Sequence, residues 1–481
     1  MARTSFFHLC SISSLLILLL LISTIPVQGQ SDTSEQEIKF LCIADIHFDP
    51  FANPDIVQDL VDSEISDWQG IFESCEDQSV GSYVADSNYF LMKSTFDDIA
   101  LSCPDPSFLL YGGDFLAHRF QRTYSAITGD ESDAGYSDFA SRTLQFMAVM
   151  IKDYFPDTPV YFAIGNNDTN TEDYDIEPGG EFLTMSNETL VGLISNPDNE
   201  VLLDEDFPVG GYYSVPLEAI ENHRLVVLNT LLFSQRYSFE GDPSENPADK
   251  ELEWLDYTLY KSRLKAEKVW FLYHIPAGID SYAAAEHPDR SPYFWREEYM
   301  MEFNRIMCGY SDVIEATFTG HTHMDEFHLF YDDETPVAYS HQIPSISPLF
   351  GNNPAYQIFE YSLSQSYVTG YATRYIHDLD SIEGLPEWSV EYDFNEIYGL
   401  ESYTVDSLAE LTNCLYTDAY IRDIYLNFYN VSNPEQAFVD DTNWPFYICG
   451  ISNFYLDGFS TCLEATVTED IEDETGFYVY F

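Results

Sequence analysis

The sequence predicts an α/β domain built on a largely parallel sheet, followed by a small, mainly helical, disulfide-containing region. Three observations predict it. Short apolar runs of strand length alternate with stretches of helical spacing, the pattern of parallel strands joined by crossover helices. Each of the main runs gives way at its C-terminal end to Asp, Asn or His. Beyond Arg374 the spacing turns amphipathic and helical. The expected division is a leader over 1–29, the α/β domain over 38–375 and the helical region over 376–481.

The first strand, 38–44, is nearly all apolar, as a strand buried on both faces should be, and it delivers Asp45-Ile-His47. An acidic, turn-prone stretch runs from Asn53 to Asp86. Phe90, Leu91 and Ile99 predict a helix over 89–103, stopped by Pro104 and Pro106. The second strand, 107–111, delivers Gly112-Gly-Asp114, with His118 four residues on. A helix around 140–154 crosses back to a third strand, 159–164, which delivers Gly165-Asn-Asn-Asp168. A fourth strand covers 224–229, a helix 252–264 and a fifth strand 268–273, ending in His274-Ile-Pro276. The apolar run from Glu315 then meets Gly320-His-Thr-His323, where glycine lets the backbone turn without the strain of a Cβ. Residues 403–429 read as one or two amphipathic helices and the acidic run 468–475 as a solvated tail.

Residues 1–29 have the make-up of a secretory leader. Arg3 supplies the positive end, the apolar core over 12–22 is shorter than the roughly 20 residues a bilayer needs, and cleavage is expected near Gly29. No later stretch reads as a transmembrane anchor. The product is expected to be an exported monomer, secreted or delivered to an acidic, lysosome-like vesicle. Nineteen basic residues against 82 acidic ones give a net charge of −63, which excludes electrostatic binding of duplex nucleic acid or an anionic membrane. Of eight cysteines, Cys10 lies in the leader, so an exported chain has room for three disulfides. Cys42, inside an apolar run, is expected to be a buried free thiol. Cys449 should pair with Cys462 and Cys75 with Cys103, leaving Cys308 and Cys414. Sequons stand at Asn167, Asn187 and Asn430, with glycans expected on the last two.

In open α/β sheets ligands bind outside the carboxyl ends of the strands. Collected there, the tips offer Asp45, His47, Asp114, Asn166, His274, His321 and His323. Neutral imidazole favours zinc-like transition metals over Mg or Ca. Seven donors are too many for one tetrahedral ion and suit two ions sharing a carboxylate.

The order Asp-x-His, Gly-Asp, Gly-Asn, His, Gly-His-x-His resembles the calcineurin-like metallophosphoesterases. More narrowly, 44–50, Gly113-Asp-Phe-Leu-Ala-His118 and 346–354 resemble the acid sphingomyelinase-like phosphodiesterase branch. The resemblance implies a layered sandwich, with helices flanking a β-sandwich core. It also implies two zinc ions, one on Asp45, His47, Asp114 and His323 and the other on Asp114, Asn166, His274 and His321. Such a pair acidifies a bridging water and clamps phosphoryl oxygens for hydrolysis of a small-molecule or lipid phosphodiester. Two departures matter. Much of the family has His after the metal-binding Asn, near the leaving group; here Asn167 stands there and cannot give a proton, so His118 becomes the candidate acid. Between Gly29 and Ile38 there is no room for the Cys-rich saposin domain of the lysosomal sphingomyelinase type. Both keep a polyphosphate- or nucleotide-cleaving hydrolase open beside the sphingomyelinase-like reading. An inactive, metal-binding glycoprotein is the alternative of another class.

Overall fold

A computed structural model describes residues 37–475 other than 171–172, 288–289, 383, 434–438 and 441, with backbone alone beyond 466. The leader over 1–29 lies outside the described residues.

Among the described residues, twelve strands form two six-stranded sheets. The first sheet holds β1 (Glu37–Ile43), β2 (Leu109–Tyr111) and β3 (Val160–Phe162). The second holds β4 (Tyr213–Pro216), β5 (His223–Val227), β6 (Lys268–Leu272), β7 (Ile314–Thr319), β8 (Glu326–Asp332) and β9 (Thr335–Gln342). The chain then returns to the first sheet with β10 (Ala355–Ser362), β11 (Tyr367–Ile376) and β12 (Trp388–Asp393). The spatial orders are β12-β11-β10-β1-β2-β3 and β4-β5-β6-β7-β9-β8. Within the first, β1-β2-β3 are parallel; within the second, β5-β6-β7 are parallel and β9 joins them. The outer strands are antiparallel.

The layered sandwich that the resemblance implies, with helices flanking a β-sandwich core, is the observed architecture; the largely parallel sheet read from the alternation of strands and helices is corrected to two mixed sheets, each with a parallel trio. The sheets pack face to face through aromatic rings. Phe40 of β1 lies 5.2 Å from Trp270 of β6 and 5.7 Å from Phe318 of β7, ring centre to ring centre. Apolar alternation says which residues are strand, but not which sheet a strand joins, because pairing is decided by contacts far apart in sequence. Helices cover the outer faces, among them Tyr89–Ser102, Asp133–Tyr154 and Pro247–Lys265. No helix among the described residues is long and apolar enough to cross a membrane.

The C-terminal region differs from its expectation in two places. It opens with β12, paired to β11, before the helices Val405–Thr417, Ala419–Tyr429, Trp444–Ser452 and Leu456–Thr475. The acidic run 468–475 continues the last helix instead of trailing as a tail. The acidic stretch 53–86, read as turns, contains the helices Val57–Asp62 and Ile65–Glu73, with Trp68 fully buried.

Cys449 and Cys462 are bridged and Cys42 is a buried free thiol. Cys75 and Cys103 are both free, which corrects their pairing. The Cys75 thiol accepts a hydrogen bond from the Asn53 amide, while Cys103 ends the helix Tyr89–Ser102. Asn430 is buried with its amide donating to the Asn433 carbonyl, so it does not present the open acceptor a glycan needs. Asn187 is half-buried on the helix Glu181–Leu190.

Candidate metal centre

The parallel trios of both sheets end at one place. Past β1 come Asp45 and His47, past β2 Asp114, past β3 Asn166, past β6 His274, and past β7 His321 and His323. All seven predicted donors meet there. Asp114 is the hub. Its Oδ2 lies 3.4 Å from His47 Nε2 and 3.2 Å from His274 Nε2. On one side, Asp45 Oδ1 is 3.7 Å from His47 Nε2 and 3.5 Å from His323 Nε2, and the two Nε2 atoms are 3.1 Å apart. On the other, His274 Nε2 is 3.1 Å from Asn166 Oδ1. The clusters Asp45–His47–Asp114 and Asp114–His274–His321 each bring their donor atoms within 4.8 Å of one another.

These contacts demand cations. His47 Nδ1 donates to the Leu116 carbonyl at 3.0 Å and His274 Nδ1 to the Gly112 carbonyl at 2.8 Å. Carbonyls only accept, so in the neutral rings both Nε2 atoms carry lone pairs aimed at the carboxylates. Asn166 donates its amide to Asp173 at 2.7 Å, which turns its oxygen inward as well. Lone pairs facing lone pairs in a dry site require a metal or protons between them. With protons as the only cations, burial works to lower His47, but Asp114 and Asp45 outweigh it and hold the ring at about 10. His274, subject to the same opposing effects, stands at about 9. Burial and the neighbouring His274 hold His321 down at about 3, and burial with His47 holds His323 well below the ordinary range. The donor set, buried imidazole plus carboxylate and amide oxygen, fits a pair of zinc-like ions.

Residues 38–325 match the family model of calcineurin-like phosphoesterases. The chain belongs to this family. Residues 337–469 match the acid sphingomyelin phosphodiesterase C-terminal region. Among curated relatives, the chain is 25% identical over 468 residues to a sphingomyelinase phosphodiesterase C of Dictyostelium discoideum, covering 94% of this chain and 98% of that one. It is 26% identical to the acid sphingomyelinase-like phosphodiesterase 3b of Homo sapiens, covering 90% and 91%. It is 27% identical to a cyclic GMP-AMP phosphodiesterase of Rattus norvegicus, covering 80% and 83%. A dimetal site is expected for calcineurin-like phosphoesterases, and the Asp/His clusters are where this chain would hold it.

The backbone of this phosphoesterase site is unusual. Asp45, His47, Asp114, His321 and His323 all have φ between 47° and 77°. Gly320, expected to take the strained turn, is not among the positive-φ residues; His321 and His323 take it instead. Glycine is needed at 320 for space, since a Cβ there would lie 2.6 Å from Asp45 Oδ2 and 2.9 Å from the Gly112 carbonyl oxygen. Gly165 is tighter still, a Cβ falling 2.1 Å from Asp114 Oδ1.

Around the donors lie His118 and Asn167, both singled out in the sequence, and residues that were not, Asp86 above all. His118 stacks on His47, ring centres 4.0 Å apart, and brings a nitrogen within 4.8 Å of the donor atoms of His47 and His323. Asp86 takes both the His118 backbone N–H, at 2.9 Å, and its Nδ1, at 3.1 Å. Asp86 also accepts from Ser347 at 2.9 Å, and His118 holds its carboxyl below the usual range against the opposing effect of burial. Asn167 donates its backbone N–H to Asp114 Oδ1 at 2.7 Å and its amide to Oδ2 at 3.0 Å. Asp168 accepts the backbone N–H groups of Phe115, Leu116 and Gly165, tying the second tip to the third. Burial and the Asp114 charge push Asp168 up to about 7 despite those donors. Ser345 meets His323 Nδ1 at 3.0 Å, and Phe350 packs edge-on against the same ring. The loop 346–354, noted for its resemblance, is thus a wall of the site. An apolar run ending in Asp or His is visible in a sequence; Asp86, one acid among 82, carries no comparable mark.

Proposed function

We propose that the chain hydrolyses phosphodiester bonds at a dinuclear zinc centre in which Asp114 is the shared ligand. Asp45, His47, Asp114 and His323 would hold one ion, and Asp114, Asn166, His274 and His321 the other. The observation that carries this reading is the overlap of two donor clusters on Asp114. Two such ions, when bound, supply Lewis-acid charge to the phosphoryl oxygens and acidify water. The chain's own residues do the rest. Asn167 fixes both Asp114 oxygens, and Asp86 holds His118 through Nδ1, leaving Nε2 free to give a proton to the leaving oxygen. The relatives named above act on phosphodiesters by their names, and the leading reading is a sphingomyelinase-like phosphodiesterase, an exported monomer without nucleic-acid partners. The Cys449–Cys462 disulfide suits an oxidising compartment.

A second reading, a nucleotide or polyphosphate hydrolase on the same centre, is favoured by Asn167. Its amide is turned to Asp114 and has no proton to give a lipid alkoxide. An inactive metal-binding glycoprotein is the reading of another class. Metal analysis combined with turnover of bis(p-nitrophenyl) phosphate, before and after chelation, tests the proposal. Two ions per chain and chelator-sensitive turnover are expected. Two bound ions without turnover would leave the inactive reading; no bound metal would sink the centre itself.

A further inference from the structure

Three imidazoles of the centre meet their outer partners in two different ways. His47 and His274 give Nδ1–H to main-chain carbonyls, which only accept, so the fold itself fixes their tautomers. His323 Nδ1 instead faces the Ser345 hydroxyl at 3.0 Å, and a hydroxyl can give or take. If the hydroxyl gave its proton to Nδ1, the ring hydrogen would sit on Nε2. That nitrogen, 3.5 Å from Asp45 Oδ1 and 3.1 Å from His47 Nε2, could then bind no metal. The choice has to be made by something beyond Ser345.

Asn352 makes it. This residue is fully buried, within the stretch 346–354 that the resemblance singled out. Its amide nitrogen donates to Ser345 Oγ at 3.0 Å, and Ser345 gives its one proton to the Ser347 carbonyl at 2.5 Å. What remains on Oγ is a lone pair, so Oγ accepts from His323 Nδ1–H and leaves Nε2 as the metal donor. The same amide nitrogen lies 3.2 Å from the Ser347 carbonyl oxygen and 3.1 Å from that of Asn353. Without a donor between them, oxygens converging in a dry turn repel one another. The turn held in this way carries the Ser347 hydroxyl, which donates to Asp86, the partner of His118. Both neighbours of Asn352 are pinned by the C-terminal region: Asn353 donates its amide to the Val431 carbonyl, and Asn433 donates to the Gly351 carbonyl, each at 2.8 Å.

Resting on the dinuclear reading above, we propose that Asn352 is a positioning residue of the centre. It acts through Ser345 to fix His323 in the tautomer that can bind a metal, and through the turn of Ser347 to hold Asp86 against His118.

The test is the zinc affinity of the full chain, read by competition with a chromophoric chelator that withdraws the two ions in two steps. The step that His323→Ala abolishes marks the ion concerned. Asn352→Ala should weaken that step by about 10- to 100-fold and the other by less than about threefold. Ser345→Ala should do the same, and the double variant should lose no more than Ser345→Ala alone, because the two groups act in series. An amide that only packed the core would lower the melting temperature and leave both steps in place. Both steps unchanged, both weakened alike, or additive losses in the double variant would overturn the proposal. If Asn352→Ala does not fold, Ser345→Ala still decides, since unchanged zinc affinities there would break the relay. At saturating zinc, Asn352→Ala should also cost an alkyl diester at least about tenfold more than a p-nitrophenyl diester; equal costs would remove the Asp86 arm. The two readings fail separately. Two bound ions with the selective loss but no hydrolysis of any diester would remove the phosphodiesterase and leave the relay; hydrolysis without the selective loss would do the reverse.

Discussion

Replacing His118 by alanine removes the one imidazole at the centre that is held by a carboxylate instead of facing the shared Asp114. Its Nδ1 is committed to Asp86 at 3.1 Å, so its other nitrogen is the one left for the proton transfer proposed above. A positioned acid contributes about 10² to 10⁴-fold where the leaving group is a poor one. Asp86→Asn keeps the shape and removes the charge-assisted part of that hydrogen bond, about 1.5 to 3 kcal/mol, or roughly 10- to 150-fold. The assay compares kcat/KM for two diesters of one phosphoryl group, one leaving as p-nitrophenolate and one as an alkoxide. His118→Ala should cost the alkyl ester about 10² to 10⁴-fold and the p-nitrophenyl ester less than about tenfold, since p-nitrophenolate leaves without a proton. Asp86→Asn, as a positioning change, should show the same asymmetry at smaller size. Because His118 also lies within reach of the donors of His47 and His323, zinc content must be measured alongside. Equal losses on both esters, or loss of zinc from His118→Ala, would refute the assignment and make His118 a ligand or a phosphate contact.

Asp114→Asn should lower turnover by at least about 10³-fold and reduce zinc content, because one charge serves both ions; near-native turnover with two ions bound would end the shared-ligand assignment. Cys449→Ser should destabilise by about 3 kcal/mol, the loop-closure value for a sequence separation of 13, whereas Cys42→Ala should leave the disulfide content as it is. Denaturation midpoints and thiol titration check both. The Asp280 carboxyl, pushed up to about 6 by burial, keeps its proton where the unfolded chain has lost it, so stability falls as pH rises from about 4 to 6. Asp280→Asn keeps the N-cap bond to Ala283 and should flatten that fall in thermal scans; an unchanged slope would assign it elsewhere.

The convergence of the candidate metal donors was legible because buried parallel strands write themselves as apolar runs, and a polar residue at such a run's end has few structural reasons to be there. Order along the chain then supplied the family. Partner choice was not legible. The three parallel strands β1-β2-β3 and the three β5-β6-β7 have the same local pattern, yet belong to facing sheets. The hairpins β8-β9 and β10-β11 went unread, though they complete both sheets and support the loop holding His323. Cys75 and Cys103 show that thiol spacing carries no distance, and Asn430 that a sequon carries no exposure. Asp86 reaches His118 because Phe48 bridges to both Ser87 and Leu116, a crossing of three segments that no window of sequence contains.

The left-handed backbone at five of the seven donors leads to a last prediction. Each such residue costs on the order of 1 to 3 kcal/mol, so the conformation persists only where surrounding bonds impose it. Those bonds lie within the fold. Asp45 N donates to the Gly113 carbonyl and His47 N to the Asp114 carbonyl, both at 3.0 Å. The His321 N–H is taken by the Asp45 carboxylate, and the His323 carbonyl accepts from Ser345 N at 3.3 Å. The strain is thus balanced by the strand tips gripping one another. A site built this way needs no metal to order its loops, unlike a zinc finger, whose metal binding supplies its folding energy. Dialysis against a chelator should therefore leave the near-ultraviolet circular dichroism in place and lower the melting temperature only as loss of a bound ligand requires. Zinc should restore turnover without a refolding lag. Collapse of the near-ultraviolet signal on chelation would show instead that the ions hold the tips together, and that the backbone bonds named here are too weak to do so alone.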